Sequence, residues 1–376
     1  MRIHIIGGGP AGLYFAILMK KRDPRHRIAI LERNRPNDTF GWGVVFSDKT
    51  MSYLRDSDAE SYSAITQYFQ LWDNVNIVHR DETITIRGNT FSGITRITLL
   101  NILQRRCLDL GAEIHFETNV SDLDAVADCD LLVGADGINS LVRQRYSDAF
   151  QASLATGRSK YIWLGTHQLF HGITLTFRKT DAGHFAAHAY KYSPTTSTFI
   201  VECPEDTWRR AGLDEMSDEE SGAYLAEVFR KDLEGNPLLS NNSRWINFLL
   251  VKNGRWRHQN VVLLGDALHT AHFSIGSGTK LALEDAIALA GCFAAKRDVV
   301  AALEEFERVR KPVVDDLQDA AHESLRWFEN FPDDMHLDPM RFAFRVMTRS
   351  GKVDYENLKK RDPEFIAAYE QATQSQ

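Results

Sequence analysis

The sequence predicts an α/β chain: a Rossmann-like dinucleotide-binding domain on a parallel sheet, an antiparallel-sheet domain inserted into it, and a helical C-terminus. Three observations carry this prediction. The first 33 residues read as strand, glycine-rich turn, helix, strand and Glu. Two later segments, Asp130–Gly137 and Val261–Ala267, read as buried strands that end in acidic turns. Between them, from Tyr161 to Cys203, the period changes, and runs broken by Gly172, Gly183 and Ser193-Pro194 read as antiparallel strands of a separate sheet.

Ile3, Ile5 and Ile6 make the first strand. Gly7, Gly9 and Gly12 follow at G-x-G-x-x-G spacing, in the run GGGPAG that also contains Pro10 and Ala11, and open a helix expected from Ala11 to Arg22. Apolar residues run almost all round that helix from Leu13 to Met19, so it is expected to be buried, and Pro24 stops it. A second strand, Ile28 to Leu31, ends at Glu32, 20 residues beyond Gly12. Gly7 permits the tight turn, Gly9 lets backbone N–H groups approach a pyrophosphate, and Gly12 lets the helix pack close to the strand. The helix N-terminus adds partial positive charge. Glu32 is placed to accept hydrogen bonds from an adenosine ribose, which favours FAD or NAD over a 2′-phosphorylated cofactor.

Further along, Gly41-Trp42-Gly43 suggests either backbone passing close to something flat or a packed turn. A polar, aromatic-rich stretch runs to about Arg80, followed by an expected hairpin, Thr83 to Ile86 around Gly88. Arg96 opens a helix with Leu99, Leu100, Ile102, Leu103 and Leu110 as its buried stripe and Gly111 as its cap. After strand Ile114–Phe116 comes DLLVGADG, ending at Asp136-Gly137, then a helix carrying Ser140 and Arg143. A helix is expected over about Ser217–Leu233, and Trp245–Lys252 returns to the inserted sheet. VVLLGDA ends in Gly265-Asp266 and leads through HTAHFSIGSG into a helix from about Thr279 to Ala295, with Gly276 and Gly278 freeing the backbone ahead of it. From Val299 onward the chain reads as mostly helical.

The 376 residues suffice for two or three subdomains. With 43% hydrophobic and 25% charged residues, the composition is that of a globular enzyme rather than a disordered or fibrous chain. A net charge of −7 argues against general nucleic-acid binding. No run approaches the roughly 18 apolar residues of a membrane span, and the N-terminus enters the first strand directly, so no signal peptide is expected. The four cysteines, Cys107, Cys129, Cys203 and Cys292, show no C-x-x-C spacing, which implies reduced thiols and a cytoplasmic location.

On the three motifs in order, GGGPAG with Glu32, DLLVGADGINSLVR and LLGDALHTAHFSIGSG, the chain resembles the single-component FAD aromatic hydroxylases of the p-hydroxybenzoate hydroxylase fold. The resemblance implies a GR2-type FAD-binding domain. It divides the chain into residues 1–155 (with about 60–90 joining the substrate domain), a substrate domain over 156–255, the last part of the FAD domain over 256–320, and a helical region over 321–376. It implies non-covalent FAD held at Gly7, Gly9, Pro10, Ala11, Gly12, Glu32, Arg33 and Trp42, with Arg96 as a pyrophosphate or ribityl contact and Asp136 in a motif linked to FAD and pyridine nucleotide. Asp266 is implied as the ribityl ligand, with Gly276, Gly278 and Thr279 facing the isoalloxazine. One departure is that His272-Phe273-Ser274-Ile275 replaces the proline usual after Gly-Asp.

FGWGVVFSD, KYIWLGT, AHAYKY and STFIVE narrow the resemblance to the aryl-CoA hydroxylases, which act on salicyloyl-CoA or anthraniloyl-CoA; hydroxylases of indole- or tryptophan-derived substrates share much of the pattern. The anthraniloyl-CoA type carries a further barrel of about 250 residues, for which this chain has no room, so the resemblance favours salicyloyl-CoA converted to gentisyl-CoA. The implied chemistry is reduction of FAD by NADH, addition of O2 at the flavin C4a position, and transfer of the distal hydroperoxide oxygen to the ring. No second strand–GxGxxG–helix unit exists for NADH, which is expected to visit the flavin transiently. The implied partners are the aryl-CoA thioester, NADH and O2, with no nucleic acid or membrane, in a monomer or homodimer. A flavin halogenase is set aside because its W-x-W-x-I-P signature is absent, and a non-catalytic flavin redox sensor is the reading of another class.

For catalysis, His272 is the first candidate, since the chain between Asp266 and the glycines must pass the flavin, and an unperturbed imidazole titrates near pH 6.5. His184, His188, Tyr190 and Tyr192 alternate along one strand, so one face either lines the substrate cavity or holds satisfied hydrogen-bonders; His188 and Tyr190 are the further catalytic candidates. His269 and His272 stand three apart in a glycine-flanked loop without a partner Glu, and no metal is expected. Arg341, Arg345 and Arg349 share a helix face that reads either as solvated or as a site for CoA phosphates.

Overall fold

Strand Arg2–Ile6 sits at the middle of a six-stranded sheet, and its neighbours explain why it is so apolar. It pairs in parallel with Arg27–Leu31 (Ile3 beside Ile28) and with Leu131–Gly134 (Ile3 beside Leu131). Val261–Leu263 continues the sheet on one side and Glu113–His115 on the other, with the short antiparallel Arg257–His258 at the edge. Strands covered on both faces read as unbroken apolar runs. The computed structural model describes residues 1–39, 41–276, 278–296 and 298–374.

Helix Pro10–Arg22 has ten buried residues, because it lies between this sheet and the helices Arg96–Asp109 and Gly278–Ala295. Phe15 and Phe293 meet there with ring centroids 6.3 Å apart. The parallel order brings three strand ends together. The turns after Ile6, Gly134 and Leu263 therefore emerge side by side at one edge of the sheet, where open α/β sheets bind ligands.

The second sheet has eight strands, in the order Leu238–Leu239, Ala152–Thr166, Ser197–Cys203, Gly183–Lys191, Ile173–Thr180, Val75–His79 and Glu82–Ile86, with Ile246–Asn253 also paired to Ala152–Thr166. A third sheet has three strands, Gly43–Ser47, Phe91–Thr95 and Gln70–Trp72, in that order. The helices Val299–Asn330, Pro339–Thr348, Tyr355–Arg361 and Pro363–Gln374 cover one face of the large sheet. Phe177, Phe328, Phe331 and Phe342 form the seam, with Phe177 and Phe342 4.7 Å apart edge to face. The other face packs on Leu213, Leu225, Phe229 and Leu233. The observed architecture is the α/β fold the sequence predicts.

Three local readings are corrected. The polar stretch before Arg80 contains two helices, Asp48–Ser57 and Ala59–Thr66, whose only fully apolar anchors are Met51, Leu54 and Ile65, too few to print a helical stripe. Asp58 sets their boundary, accepting from Ser61 N at 3.2 Å while Lys21 and Arg106 hold its carboxylate. The hairpin turns at Arg80-Asp81, both at positive φ (53° and 63°), with His79 opposite Glu82, and not at Gly88. Gly88 instead lies against Arg361, whose carbonyl oxygen would be 2.8 Å from a Cβ there. Finally, the long strand of the inserted sheet begins at Ala152, nine residues before Tyr161.

Candidate active site

The glycine turn is shaped by close approach. Gly7 has φ +104°, and a Cβ on it would stand 2.2 Å from Ala135 O. A Cβ on Gly12 would stand 2.4 Å from Gly7 O. Gly9 is different, since nothing lies within 4 Å of its Cβ position, and it opens onto a cavity together with Pro10 and Ala11. Gly7 and Gly12 are thus spent on the turn, and Gly9 faces free space. Glu32 is fastened beside them, accepting from Gly8 N at 2.6 Å and from Asn34 N and Nδ2 at 2.8 and 2.7 Å. Arg33 is exposed at the start of the following loop.

The second turn is organised by Asp136, which accepts from Leu141 N at 2.6 Å ahead of the Ser140-capped helix Leu141–Arg145; its Oδ1 has no partner among the described residues. Arg143 donates to Ala267 O at 2.9 Å and to Ile138 O, tying this turn to the third. In the third turn Gly265 has φ +61°, and Asp266 stands in the cavity. His269 and His272 go separate ways: His269 bonds Asp285 at 2.7 Å and His272 bonds Ser274 Oγ at 2.7 Å. Among the described residues no cluster of three or more His, Cys, Asp or Glu is set to hold a metal.

The cavity measures about 490 Å³, within the usual range for small-molecule sites. Its floor is Gly9, Ala135, Gly137 and Asp266, with Gly276, Gly278 and Thr279 at the start of the helix Gly278–Ala295. Ser277 between them, like Phe40, lies outside the described residues. Its wall is one face of the large sheet: Trp163 pairs with Ile200, Ile200 with His188, and His188 with Leu175, so the four side chains stand in a row. Met347, Arg349, Ser350 and Val353 close a third side. Arg361, Asp266 and Gly276 are exposed lining residues, so the cavity reaches solvent at Arg361 on one side and at the Gly-Asp segment on the other.

Asp266 is the one acidic residue lining the cavity, with Arg96, Arg349 and Arg361 as its basic ones, and neither the Asp266 nor the Arg96 side chain has a hydrogen-bond partner among the described residues. The surrounding protein atoms push the Asp266 carboxyl up, although its side chain is open to the cavity, and push the Arg96 guanidinium down, and each charge partly offsets the shift of the other. Unpaired charges around open space, beside a glycine that leaves room for a ligand, fit a polar chain with hydroxyl and phosphate groups such as FAD.

Of the expected site residues, Glu32, Arg33 and Asp136 stand behind the cavity lining, and Trp42 and His272 stand elsewhere. The Trp42 ring packs on Gly165 of the large sheet, 2.8 Å from that residue's Cβ position, and Gly43, Val44 and Val45 line the cavity in its place. His272 does not line the cavity. It is 1% exposed, with the ring of Phe273 4.1 Å away and that of Phe248 4.9 Å away. Burial first, then His188 and Arg349, lower its pKa to about 4 against the pull of Glu202, so it does not titrate near 6.5 as expected. Tyr190 lines the cavity, but its hydroxyl donates to Gly43 O at 2.9 Å, and burial raises its pKa. His188 also lines it, 2.5 Å from Glu202 Oε1, while His184 lies toward Phe331. Arg341, Arg345 and Arg349 do not form one face. Arg345 pairs with Asp334, Arg341 with Asp338, and Arg349 turns inward to Ser324 Oγ and Ser274 O at 2.9 and 2.6 Å.

The residue that sequence reasoning missed is Glu202. It is fully buried, and its one signal was a charge inside the apolar run FIVEC.

The FAD binding domain family matches residues 1–321 of the chain. The chain is 41% identical to salicyloyl-CoA 5-hydroxylase of a Streptomyces species, over 97% of this chain and 72% of that one. It is 36% identical to 3-hydroxy-4-methyl-anthranilyl-[aryl-carrier protein] 5-monooxygenase of Streptosporangium sibiricum, over 95% and 97%. It is 38% identical to protodeoxyviolaceinate monooxygenase of Chromobacterium violaceum, over 91% and 93%. Among solved structures, PqsL of P. aeruginosa in complex with 2-aminobenzoylacetate shares the fold at TM-score 0.70 and 20% identity, covering 91% of this chain and 98% of that one. With its three turns converging on one cavity, the chain belongs to the FAD binding domain family and is an FAD-dependent aromatic monooxygenase.

Proposed function

We propose that the chain hydroxylates the ring of an aromatic acyl thioester, with salicyloyl-CoA converted to gentisyl-CoA, using NADH and O2 in the cytoplasm. The observation that carries this reading is the shape of the cavity. An aromatic-walled chamber beside the Gly-Asp turn continues to an exposed Arg361, so a ring can sit inside while a long thioester arm leads out to solvent. Two relatives named for substrates on thioester carriers, one CoA and one a carrier protein, support it.

Bound FAD supplies the chemistry of reduction by nicotinamide and activation of dioxygen. The chain supplies position and dryness. Gly9 and the N-terminus of Pro10–Arg22 take the pyrophosphate, Glu32 the adenosine ribose, and Asp266 and Arg96 the hydroxyl and phosphate groups between. Gly276, Gly278 and Thr279 leave backbone room for the ring system. Trp163, Leu175, Ile200, Phe248 and Phe273 exclude water from the reacting ring. His188 is the cavity imidazole nearest to proton-transfer work. No helix among the described residues is long and apolar enough to cross a membrane, and all four cysteines are free.

The test is nicotinamide oxidation by the FAD-loaded protein with salicyloyl-CoA, anthraniloyl-CoA and their free acids, with product mass recorded. Salicyloyl-CoA is expected to give a product one oxygen heavier, with NADH faster than NADPH. Turnover of the free acid alone overturns the thioester reading. The similarity to protodeoxyviolaceinate monooxygenase adds an indole-derived acid to the screen as the second reading. Asp266→Ala is expected to weaken flavin binding by about 1–3 kcal/mol, through the hydrogen bond left unmade.

A further inference from the structure

The cavity wall conceals a buried carboxyl that the reaction as described does not use. Strand Ser197–Cys203 is buried at all seven positions, and Glu202 is its only charged side chain. Glu202 pairs with Ala186 on the next strand, and His188 stands two residues further on the same face. The small Ala186 leaves space for the carboxylate to cross diagonally, so Glu202 Oε1 reaches His188 Nε2 at 2.5 Å. The second oxygen, Oε2, has no hydrogen-bond partner among the described residues, and His272 Nε2 stands 3.8 Å from it. A buried carboxyl with one oxygen unsatisfied costs stability that an apolar residue in its place would not. The other ring nitrogen of His188 is also without a partner among the described residues, on a ring that lines the cavity.

We propose that Glu202 is the proton acceptor of the cavity and that His188 carries the proton to it. The proposal rests on the substrate being an aromatic thioester with a ring hydroxyl. The substrate hydroxyl gives its proton to His188 Nδ1, and the proton on His188 Nε2 passes to Glu202 Oε1. One proton moves at each bond and no electrons are exchanged. His188 ends neutral in its other tautomer, Glu202 ends as the carboxylic acid, and the negative charge moves from behind the wall to the substrate oxygen, where it activates the ring. After oxygen transfer the same route returns the proton.

The groups facing Glu202 set where it works. They are His188 and Tyr161 from the neighbouring strands, His272 from the Gly-Asp segment, Glu329 from Val299–Asn330, and Arg349. Burial raises Glu202, His272 and Arg349 lower it, and Glu329 raises it again, leaving it at about 7. Burial and Arg349 lower His188 to about 3, so it conducts the proton without keeping it.

The test follows the ultraviolet absorption of the phenolate as salicyloyl-CoA binds to the FAD-loaded protein without NADH, across about pH 6–9. In the wild type the phenolate band is expected to grow as pH rises through about 7. In Glu202→Gln, which keeps an acceptor for His188 Nε2 and the packing, the band is expected to vanish or to move up by about a unit or more, with flavin content unchanged and a cooperative melting transition retained. His188→Gln breaks the same route from the cavity side and is expected to do likewise, which decides the matter if Glu202→Gln does not fold. An unchanged phenolate titration in the variant that folds makes Glu202 a mere support for His188 and overturns the proposal. A wild type whose flavin spectrum does not respond to salicyloyl-CoA overturns the substrate reading itself, and with it the source of the proton.

Discussion

His269 Nε2 lies 2.7 Å from Asp285 Oδ2, and Arg310 Nε donates to Asp285 Oδ1 at 2.9 Å. These contacts fasten the segment carrying Asp266 to helix Gly278–Ala295 and to the long helix behind it. Burial alone would raise the Asp285 carboxyl, but His269 and Arg310 outweigh it and hold it below the ordinary range.

Asp285→Asn is therefore expected to destabilise the protein by about 1–3 kcal/mol, because it weakens the buried contacts to His269 and leaves Arg310 with Glu284 as its one carboxylate partner. Thermal or urea unfolding of the flavin-free chain checks this. A loss of flavin affinity with unchanged apoprotein stability would contradict it.

Gly7→Ala and Gly9→Ala separate the two uses of the glycine turn. The first meets Ala135 O at 2.2 Å and is expected to lower stability even without FAD. The second meets nothing within 4 Å, so the apoprotein is expected to melt normally while FAD affinity falls about tenfold, or about 1.4 kcal/mol. Calorimetry of apo and FAD-loaded forms distinguishes the cases.

Acid stability tests the buried network. His188 and His272 are held neutral with pKa values lowered to about 3 and 4, so the unfolded chain binds protons first and stability falls as pH drops below about 6.5. Glu202 works in the opposite sense: raised to about 7, it binds its proton in the folded state first, and stability gains as pH falls from about 7 toward the unfolded value near 4.5. Removing that compensation in Glu202→Gln is expected to steepen the fall in melting temperature between pH 6.5 and 4.5. A parallel curve would show that Glu202 is ionised throughout.

Arg361 stands at the mouth, so Arg361→Ala is expected to raise KM for salicyloyl-CoA about three- to tenfold, with kcat little changed. The salicyloyl thioester of N-acetylcysteamine, which lacks phosphates, is expected to be unaffected. Equal effects on both would place the phosphates elsewhere.

The motifs of the candidate site were legible because their parts are local. Gly7, Gly9, Gly12 and Glu32 announce themselves within one strand–turn–helix unit, and Asp136 and Asp266 end apolar strands, as residues at the rim of a parallel sheet do. What was hidden depends on pairing across the chain. The bond between His188 and Glu202 follows from register and from the small Ala186, neither of which a linear pattern displays. Arg349 seemed to belong to a stripe with Arg341 and Arg345, but helix Pro339–Thr348 ends just before it, and the chain carries it inward. The turn at Arg80-Asp81 lacks the usual Asn-Gly signal, which moved the expected hairpin to Gly88.

The third side of the cavity, Met347, Arg349, Ser350 and Val353, follows residue 321, where the family match stops, whereas the three converging turns precede it. A crossover within the long helix Val299–Asn330 would exchange that wall as one contiguous piece and leave the flavin turns untouched. Exchange at that single junction would alter one side of the ring chamber and keep the sheet wall of Trp163, Leu175, His188 and Ile200 in place.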